Sequence, residues 1–341
     1  MSTDADVADV LVLGAGPAGA SCAIALARDG CSVTVVRGRV PRRPRLGETV
    51  PPAMVRPLAA LGVWEEFRAA EHLPDPGTVL HWGDDAPSGN DHILDPYGCG
   101  WHLDRDRFDT MLLDAARAAG ARVHDRVPGG GPELRAPFVV DATGRAACVA
   151  RRHGPARVRE DLLIGLVRFG TSSGADTRTV VEASLRGWWY AAPLPRGRAV
   201  TMFFTDADLL PRGSDARRRF WDHAWAQTAA VREVAALEAH GSIHTAVAHT
   251  GAIPTCAGSG WIAVGDAART LDPLSGQGLT TACVSGIRAA AAIRSGAGRG
   301  ALAAYCERVA NEHRAALSSR RTTYRREQRW PRDPFWARRH R

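Results

Sequence analysis

Lysine is absent from the 341 residues, so all 44 basic side chains are arginine and any mechanism that needs a lysine amine is excluded. Long apolar runs are missing as well: none approaches the roughly 18 residues that a membrane helix requires. Met1 to Asp9 is acidic rather than a basic, apolar, small-residue leader, so a soluble chain outside the membrane is expected. The cysteines Cys22, Cys31, Cys99, Cys148, Cys256, Cys283 and Cys306 are scattered, with neither Cys-x-x-Cys spacing nor a Cys/His cluster. They fit no disulfide framework and no zinc site, which leaves a reducing cytoplasm as the expected location. The net charge of +8 is spread along the chain without a nucleic-acid motif, so no nucleic-acid partner is expected. There is no internal repeat, no low-complexity linker, no Ser/His/Asp constellation on a nucleophile turn and no paired metal-ligand spacing. The chemistry must then come from a bound cofactor.

What is present has an α/β pattern, and 45% hydrophobic content is enough for a large core. Val7 to Leu13 reads as a buried strand. Gly14-Ala15-Gly16-Pro17-Ala18-Gly19 follows and opens an alanine-rich helix that ends at Gly30. Gly14 permits a tight turn, Gly16 lets backbone amides approach a pyrophosphate, and Gly19 lets helix and strand pack closely. At the end of the next strand, Cys31 to Val36, an acidic residue usually holds the ribose, and Arg37 stands there instead. Two readings stay open: arginine stacks on adenine or reaches a phosphate, or the adenosine end is held less tightly.

A second nucleotide half lies late in the chain. The strand Trp261 to Val264 delivers Gly265 and Asp266, whose carboxylate can accept a ribityl hydroxyl. Leu271 to Leu279, with Pro273, Gly276, Gln277, Gly278 and Leu279, then enters a small-residue helix reaching about Ile293. Amides at that helix start would face a flavin's pyrimidine edge and stabilise negative charge on the reduced ring. Together the two segments fit one FAD from opposite sides.

These residues, with Asp141-Ala142-Thr143-Gly144-Arg145 between them, resemble the flavin-dependent aromatic hydroxylases and halogenases of the p-hydroxybenzoate hydroxylase fold. Arg45-Leu46-Gly47-Glu48-Thr49 with Pro51-Pro52, Gly187-Trp188-Trp189-Tyr190, Arg329-Trp330 and Pro334-Phe335-Trp336 look closest to the tryptophan-modifying flavoproteins that mature quinone cofactors. The likeness spans nearly the whole chain. It implies a split Rossmann-type FAD-binding domain (1–77, 104–155, 250–298), an inserted antiparallel-sheet substrate domain (78–103, 156–249) and a C-terminal helical segment (299–341). It also implies that Arg45 and Arg105 reach the cofactor, and that Glu48, Trp188, Trp189 and Tyr190 meet the substrate. Three departures stand out: Arg37, Cys148 where serine is common, and a short 121–138 hairpin layer.

Between the motifs, Asp104 should cap a helix from Arg105 to Ala119. Thr78 to Trp82, Leu162 to Phe169, Thr177 to Leu185, Trp188 to Ala192 and Arg198 to Thr205 read as antiparallel strands. Long helices are expected from Ser214 to His240 and from Ala301 to Arg326. His81, His102, His223 and His244 are candidate bases, and no spacing selects one.

The resemblance implies an FAD-dependent monooxygenase that hydroxylates an electron-rich aromatic, such as an indole or tryptophan-derived ring, through a flavin C4a-hydroperoxide. Its substrate would be a small molecule, carrier-bound or peptide-borne. Molecular oxygen is the co-substrate, and NAD(P)H acts either as a transient reductant or through a separate flavin reductase. The rivals are halogenation, which in this fold uses a lysine that is missing here, flavin-mediated double-bond reduction, and a non-catalytic peptide-binding maturation partner.

Overall fold

The computed structural model describes residues 8–38, 46–83, 86–125, 136–154, 156–237 and 242–341. A six-stranded sheet forms the first layer, ordered Ala257–Gly258, Trp261–Ala263, Phe138–Asp141, Val10–Leu13, Val33–Arg37, Arg122–Asp125. All of its pairings are parallel except the first. Val10, Val12, Val33, Val35 and Val140 are buried, as expected for β-branched side chains covered on both faces.

Helix Pro17–Arg28 packs on this sheet beside helix Gly278–Arg294. Gly286 makes their approach possible, because a Cβ there would lie 2.3 Å from the Ala18 carbonyl oxygen. Gly14, at φ +114°, and Gly19 do the same for the turn between strand and helix, where a Cβ would meet the Ala142 and Gly14 carbonyls.

The second layer is an eight-stranded sheet. Its main path runs Ala235–Ala236, Leu163–Ser172, Arg198–Asp206, Gly187–Leu194, Thr179–Ser184, Gly77–His81, Ser88–Asp91, and His244–Val247 also pairs with Leu163–Ser172. It is antiparallel apart from one parallel pair, Thr179–Ser184 with Gly77–His81. The sheet buries both faces. Trp82, Trp188, Phe204, Tyr324, Phe335 and Trp336 fill one side, and Trp189, Phe203, Trp221 and Val231 fill the other.

A small sheet of Thr49–Val50, Gly100–His102 and Leu73–Asp75 forms a separate layer.

The helix expected over Ser214–His240 is interrupted. It runs Ser214–Ala226, restarts at Ala230–Val234 and passes into Ala235–Ala236. The Glu182 carboxylate accepts from the amides of Ala229 and Val231 at 3.0 and 3.1 Å, which creates a new helix start that local propensity does not reveal. Positions 238–240 lie outside the described residues, as do Val7 and the Pro128–Pro132 part of the hairpin layer. Asp104 does cap helix Arg105–Ala118, accepting from Asp106 and Arg107. The last long helix runs Arg299–Arg325, and a short one, Pro334–Arg339, closes the chain. No helix among the described residues is long and apolar enough to cross a membrane.

Candidate functional site

The two glycine turns lie side by side. A Cβ on Gly265 would come within 2.8 Å of the Ala18 side chain, so the turn carrying Asp266 abuts the start of the first helix. Helix Pro17–Arg28 has Pro17 in its first turn and no side-chain cap. Helix Gly278–Arg294 likewise has no side-chain cap at Gln277. Two uncapped helix starts leave backbone donors and two positive dipole ends facing one region. The Cβ positions of Gly16, Gly276 and Gly278 have nothing within 4 Å. The turns thus combine tight packing at Gly14 and Gly19 with open space at Gly16, Gly276 and Gly278, as a dinucleotide cradle requires. These residues fit FAD.

Asp141 organises the middle motif. It is fully buried, and its carboxylate accepts from the Thr143 amide and hydroxyl and from the amides of Val149 and Ala150 at 2.6–3.1 Å. That leaves Arg145 projecting to Asp266, with Nε 3.5 Å from Oδ2. Arg157 holds the same turn by donating to the Asp266 carbonyl at 2.6 Å. Neither arginine was singled out from sequence, although Arg145 closes the Asp-Ala-Thr-Gly-Arg run.

The strap Leu46-Gly47-Glu48 passes between Arg105 and Leu279. Gly47 has φ +91°, and a Cβ there would sit 3.1 Å from Arg105 Nη1 and 3.8 Å from Leu279. Arg105 donates to the Leu46 and Gly47 carbonyls and pairs with Asp109 at 3.2 Å, so it fixes the strap as well as lying beside it. Arg45 lies outside the described residues. Arg37 is engaged by a neighbour: Nε and Nη2 lie 2.6 and 3.0 Å from the Asp125 carboxylate on the adjacent strand. Pro273 begins a short turn capped by Asp272, which accepts from the Leu274 amide at 3.0 Å.

Glu48 is 3% exposed. Oε2 accepts from the Gly47 amide at 3.0 Å, and Oε1 has no hydrogen-bond partner among the described residues. Burial pushes its carboxyl up to about 7, against the pull of Arg105 and Arg198. Next to it, Thr49 Oγ1 lies 2.5 Å from the Tyr190 hydroxyl and 2.8 Å from His102 Nδ1.

The Trp-Trp-Tyr run does not face one way. Successive strand residues alternate, so Trp188 and Tyr190 share a face and Trp189 takes the opposite one. Trp188 and Trp189 are 1% and 0% exposed and pack in separate apolar clusters. The expectation that both present rings to a substrate is corrected to core packing, with Tyr190 alone of the three partly open beside the strap.

Of the four candidate bases, His102 is fully buried with both ring nitrogens within hydrogen-bonding distance of a neighbour. His223 contacts Gln227 at the surface, and His81 and His244 are half-buried. Asp75, 3.7 Å from His102, has no sequence signal of its own. The thiols are free, and Cys256 and Cys306 face each other at 3.3 Å. No cluster of three or more potential metal ligands exists among the described residues.

A parallel sheet with an uncapped glycine turn, a late Gly-Asp turn against it and an antiparallel layer above defines an FAD-dependent oxidoreductase of the p-hydroxybenzoate hydroxylase-like fold. The chain belongs to the FAD binding domain family, whose model matches residues 7–317. It is 28% identical to LodB of Marinomonas mediterranea, named as an FAD-dependent oxidoreductase, over 97% of this chain and 96% of that one. To the tryptophan 2-halogenase of Chondromyces crocatus it is 25% identical, over 84% of this chain and 61% of the relative. Among solved structures, peptidyl tryptophan dihydroxylase QhpG, essential for tryptophylquinone cofactor biogenesis, superposes with a TM-score of 0.81 at 28% identity. That match covers 97% of this chain and 78% of QhpG. The halogenase CmlS superposes at 0.87 with 22% identity, over 97% and 67% of the two chains, a likeness of fold.

Proposed function

We propose that this flavoprotein hydroxylates an electron-rich aromatic ring, an indole carried on a peptide, using molecular oxygen. The observation that carries the reading is the likeness, at 28% identity over 97% of this chain and 78% of the other, to a peptidyl tryptophan dihydroxylase. The missing lysine supports it against halogenation. FAD, when bound and reduced, supplies the activation of oxygen. Gly14, Ala15, Gly16, Pro17, Ala18 and Gly19 would hold its diphosphate. Arg37 would meet its adenosine side and Asp266 its ribityl chain. Arg45, Arg105, Pro273, Gly276, Gln277, Gly278 and Leu279 would surround its ring side. Glu48 and Tyr190 would meet the substrate. Electrons come from NAD(P)H, taken up directly or through a separate flavin reductase, in the reducing cytoplasm.

The test supplies purified FAD-loaded protein with NAD(P)H, with and without an added flavin reductase, a tryptophan-containing peptide and ¹⁸O₂. Oxygen consumption with label in a heavier peptide supports hydroxylation. Halide-dependent product, or a reduced product without label, overturns it.

A further inference from the structure

Cys256 and Cys306 place their sulfurs 3.3 Å apart, with the Cys256 thiol donating to Cys306. Cys256 is 2% exposed and stands just before the edge strand Ala257–Gly258 of the six-stranded sheet. Cys306 is half-buried on helix Arg299–Arg325. The backbone around them fixes both positions. The Cys256 carbonyl accepts from the Ala263 amide at 2.7 Å, and the hydroxyl of Tyr305, the neighbour of Cys306, donates to the Ala263 carbonyl at 2.8 Å. One residue of the strand Trp261–Ala263 thus holds both sides of the pair. A disulfide bond needs about 2.0 Å between its sulfurs, so closure asks for an approach of about 1 Å.

The two thiols differ in reactivity for a reason visible in their surroundings. Burial pushes Cys22 up to about 12 and Cys283 up to about 11, which keeps both protonated and unreactive. Cys306 is held below the ordinary thiol range instead, because the Cys256 thiol and the backbone at Cys256 and Ala257 hydrogen-bond to its sulfur. Cys256 is raised by that same bond and by burial. The pair therefore sets a thiolate that solvent can reach against a sheltered thiol, the arrangement of an attacking and a resolving cysteine.

We propose that Cys306 is a site of oxidation by hydrogen peroxide, and that Cys256 resolves it to a reversible disulfide that clamps the second half of the flavin site. The Cys306 thiolate attacks one peroxide oxygen, the O–O bond breaks, hydroxide leaves and the sulfur becomes a sulfenic acid. The Cys256 sulfur then attacks the Cys306 sulfur. The S–S bond forms, the S–O bond breaks, and the Cys256 proton goes to the departing hydroxide. In sum, two thiols give up two electrons and two protons, and one peroxide becomes two waters. A reduced flavin that meets oxygen with no substrate to oxidise is a source of peroxide, and a thiol reductant reverses the bridge by exchange. Between the two cysteines the chain passes through Gly265, Asp266 and the helix start at Gly278. The bridge thus closes a loop around the late nucleotide half and ties helix Arg299–Arg325 to the strand that delivers Asp266. A long closed loop is the case in which a cross-link restrains opening most.

The proposal needs a flavoprotein that reduces oxygen and does not need the hydroxylase reading, so either can fail alone. The FAD-loaded full chain, reduced and freed of reductant, is treated with equimolar hydrogen peroxide. Two of the seven thiols should become untitratable in denaturant, the intact mass should fall by two hydrogens, and dithiothreitol should restore both. Peptide mapping should join Cys256 to Cys306. Tm should rise by about 5 °C, and FAD should leave more slowly on dilution. Cys256→Ser should hold Cys306 as a sulfenic acid that dimedone labels, whereas Cys306→Ser should leave Cys256 unlabelled. NAD(P)H, a flavin reductase and oxygen without substrate should give the same bridge, and catalase should prevent it. Mapping of the wild-type chain decides the matter even where a serine variant fails to fold. Intact Cys256 and Cys306 thiols after peroxide that oxidises the exposed Cys148, a bridge to another cysteine, or a bridge that forms under catalase overturns the proposal. A mapped bridge with Tm and FAD retention unchanged overturns the clamp.

Discussion

The Tyr324 hydroxyl donates to Asp272 Oδ2 at 3.1 Å while accepting from Trp188 Nε1 at 2.9 Å. One buried phenol thereby joins helix Arg299–Arg325, the eight-stranded sheet and the turn that begins at Pro273. Arg320 completes the junction, its Nε 2.8 Å from the same Asp272 oxygen. Tyr324→Phe keeps the ring and removes both bonds, leaving the Trp188 N–H without a partner. The expected cost is about 2–3 kcal/mol, from two lost bonds and a desolvated donor. Thermal unfolding should show a clear drop in Tm with the fold retained, and an unchanged Tm would mean that the junction carries no stability.

Trp188 and Trp189 provide a controlled pair. Both are fully buried, yet Trp189 Nε1 has no hydrogen-bond partner among the described residues whereas Trp188 Nε1 is bonded. Trp188→Phe should therefore destabilise more than Trp189→Phe, by about 1 kcal/mol, the net worth of a buried hydrogen bond. Neither should alter KM for an aromatic substrate beyond the stability loss. A KM effect specific to Trp189→Phe would return that ring to the substrate site.

How much of this was legible beforehand depended on how local the constraint was. The glycine turns could be read because a Cβ at Gly19 would meet the Gly14 carbonyl within the motif itself, although Gly14 answers to Ala142, far along the chain. The Asp104 cap was readable for the same reason. The fate of Trp188 was not, because the side chains that cover it, Tyr324 and Trp336 among them, lie more than a hundred residues on. Alternation alone would have set Trp188 and Trp189 on opposite faces, but not which face meets the strap. His102 was one histidine of several until Asp75, Thr49 and Thr177 converged on it from three segments, with Tyr190 bonded to Thr49 in turn. Arg37 remained ambiguous because its partner, Asp125, is set by strand order.

Glu48 should make stability depend on pH in an unusual direction for a carboxylate. Burial raises its folded-state value from 4.5 to about 7, so folding favours the protonated form. Stability is greatest below the unfolded value, falls as pH rises from 4.5 towards 7, and is level above that. The shift corresponds to at most about 3 kcal/mol. Glu48→Gln removes the penalty, so the variant should match wild type near pH 4, below the unfolded value, and unfold at a higher temperature at pH 8. A Tm gap that is the same at both pH values would show that Glu48 does not titrate in this range.

Two glycines on one helix distinguish what the fold needs from what the cofactor needs. A Cβ at Gly286 would lie 2.3 Å from the Ala18 carbonyl oxygen and 2.9 Å from the Cys22 amide nitrogen, both backbone atoms. Gly286→Ala must therefore push helices Pro17–Arg28 and Gly278–Arg294 apart, an overpacking cost of about 1–3 kcal/mol. Stability and FAD affinity should fall together, because the same displacement separates the two helix starts. At Gly278, a Cβ meets nothing within 4 Å. Alanine there is a better helix former by up to about 1 kcal/mol, so Gly278→Ala should fold at least as well as wild type. If the amides at this helix start approach the flavin, the new methyl lies between them and the ring, and FAD binding should weaken by about tenfold, or 1.4 kcal/mol. Paired measurements of Tm on the flavin-free protein and of FAD affinity by fluorescence quenching would decide the matter. A Gly278→Ala protein that binds FAD as tightly as wild type would remove this helix start from the cofactor site, whereas loss of affinity without loss of stability would keep it there.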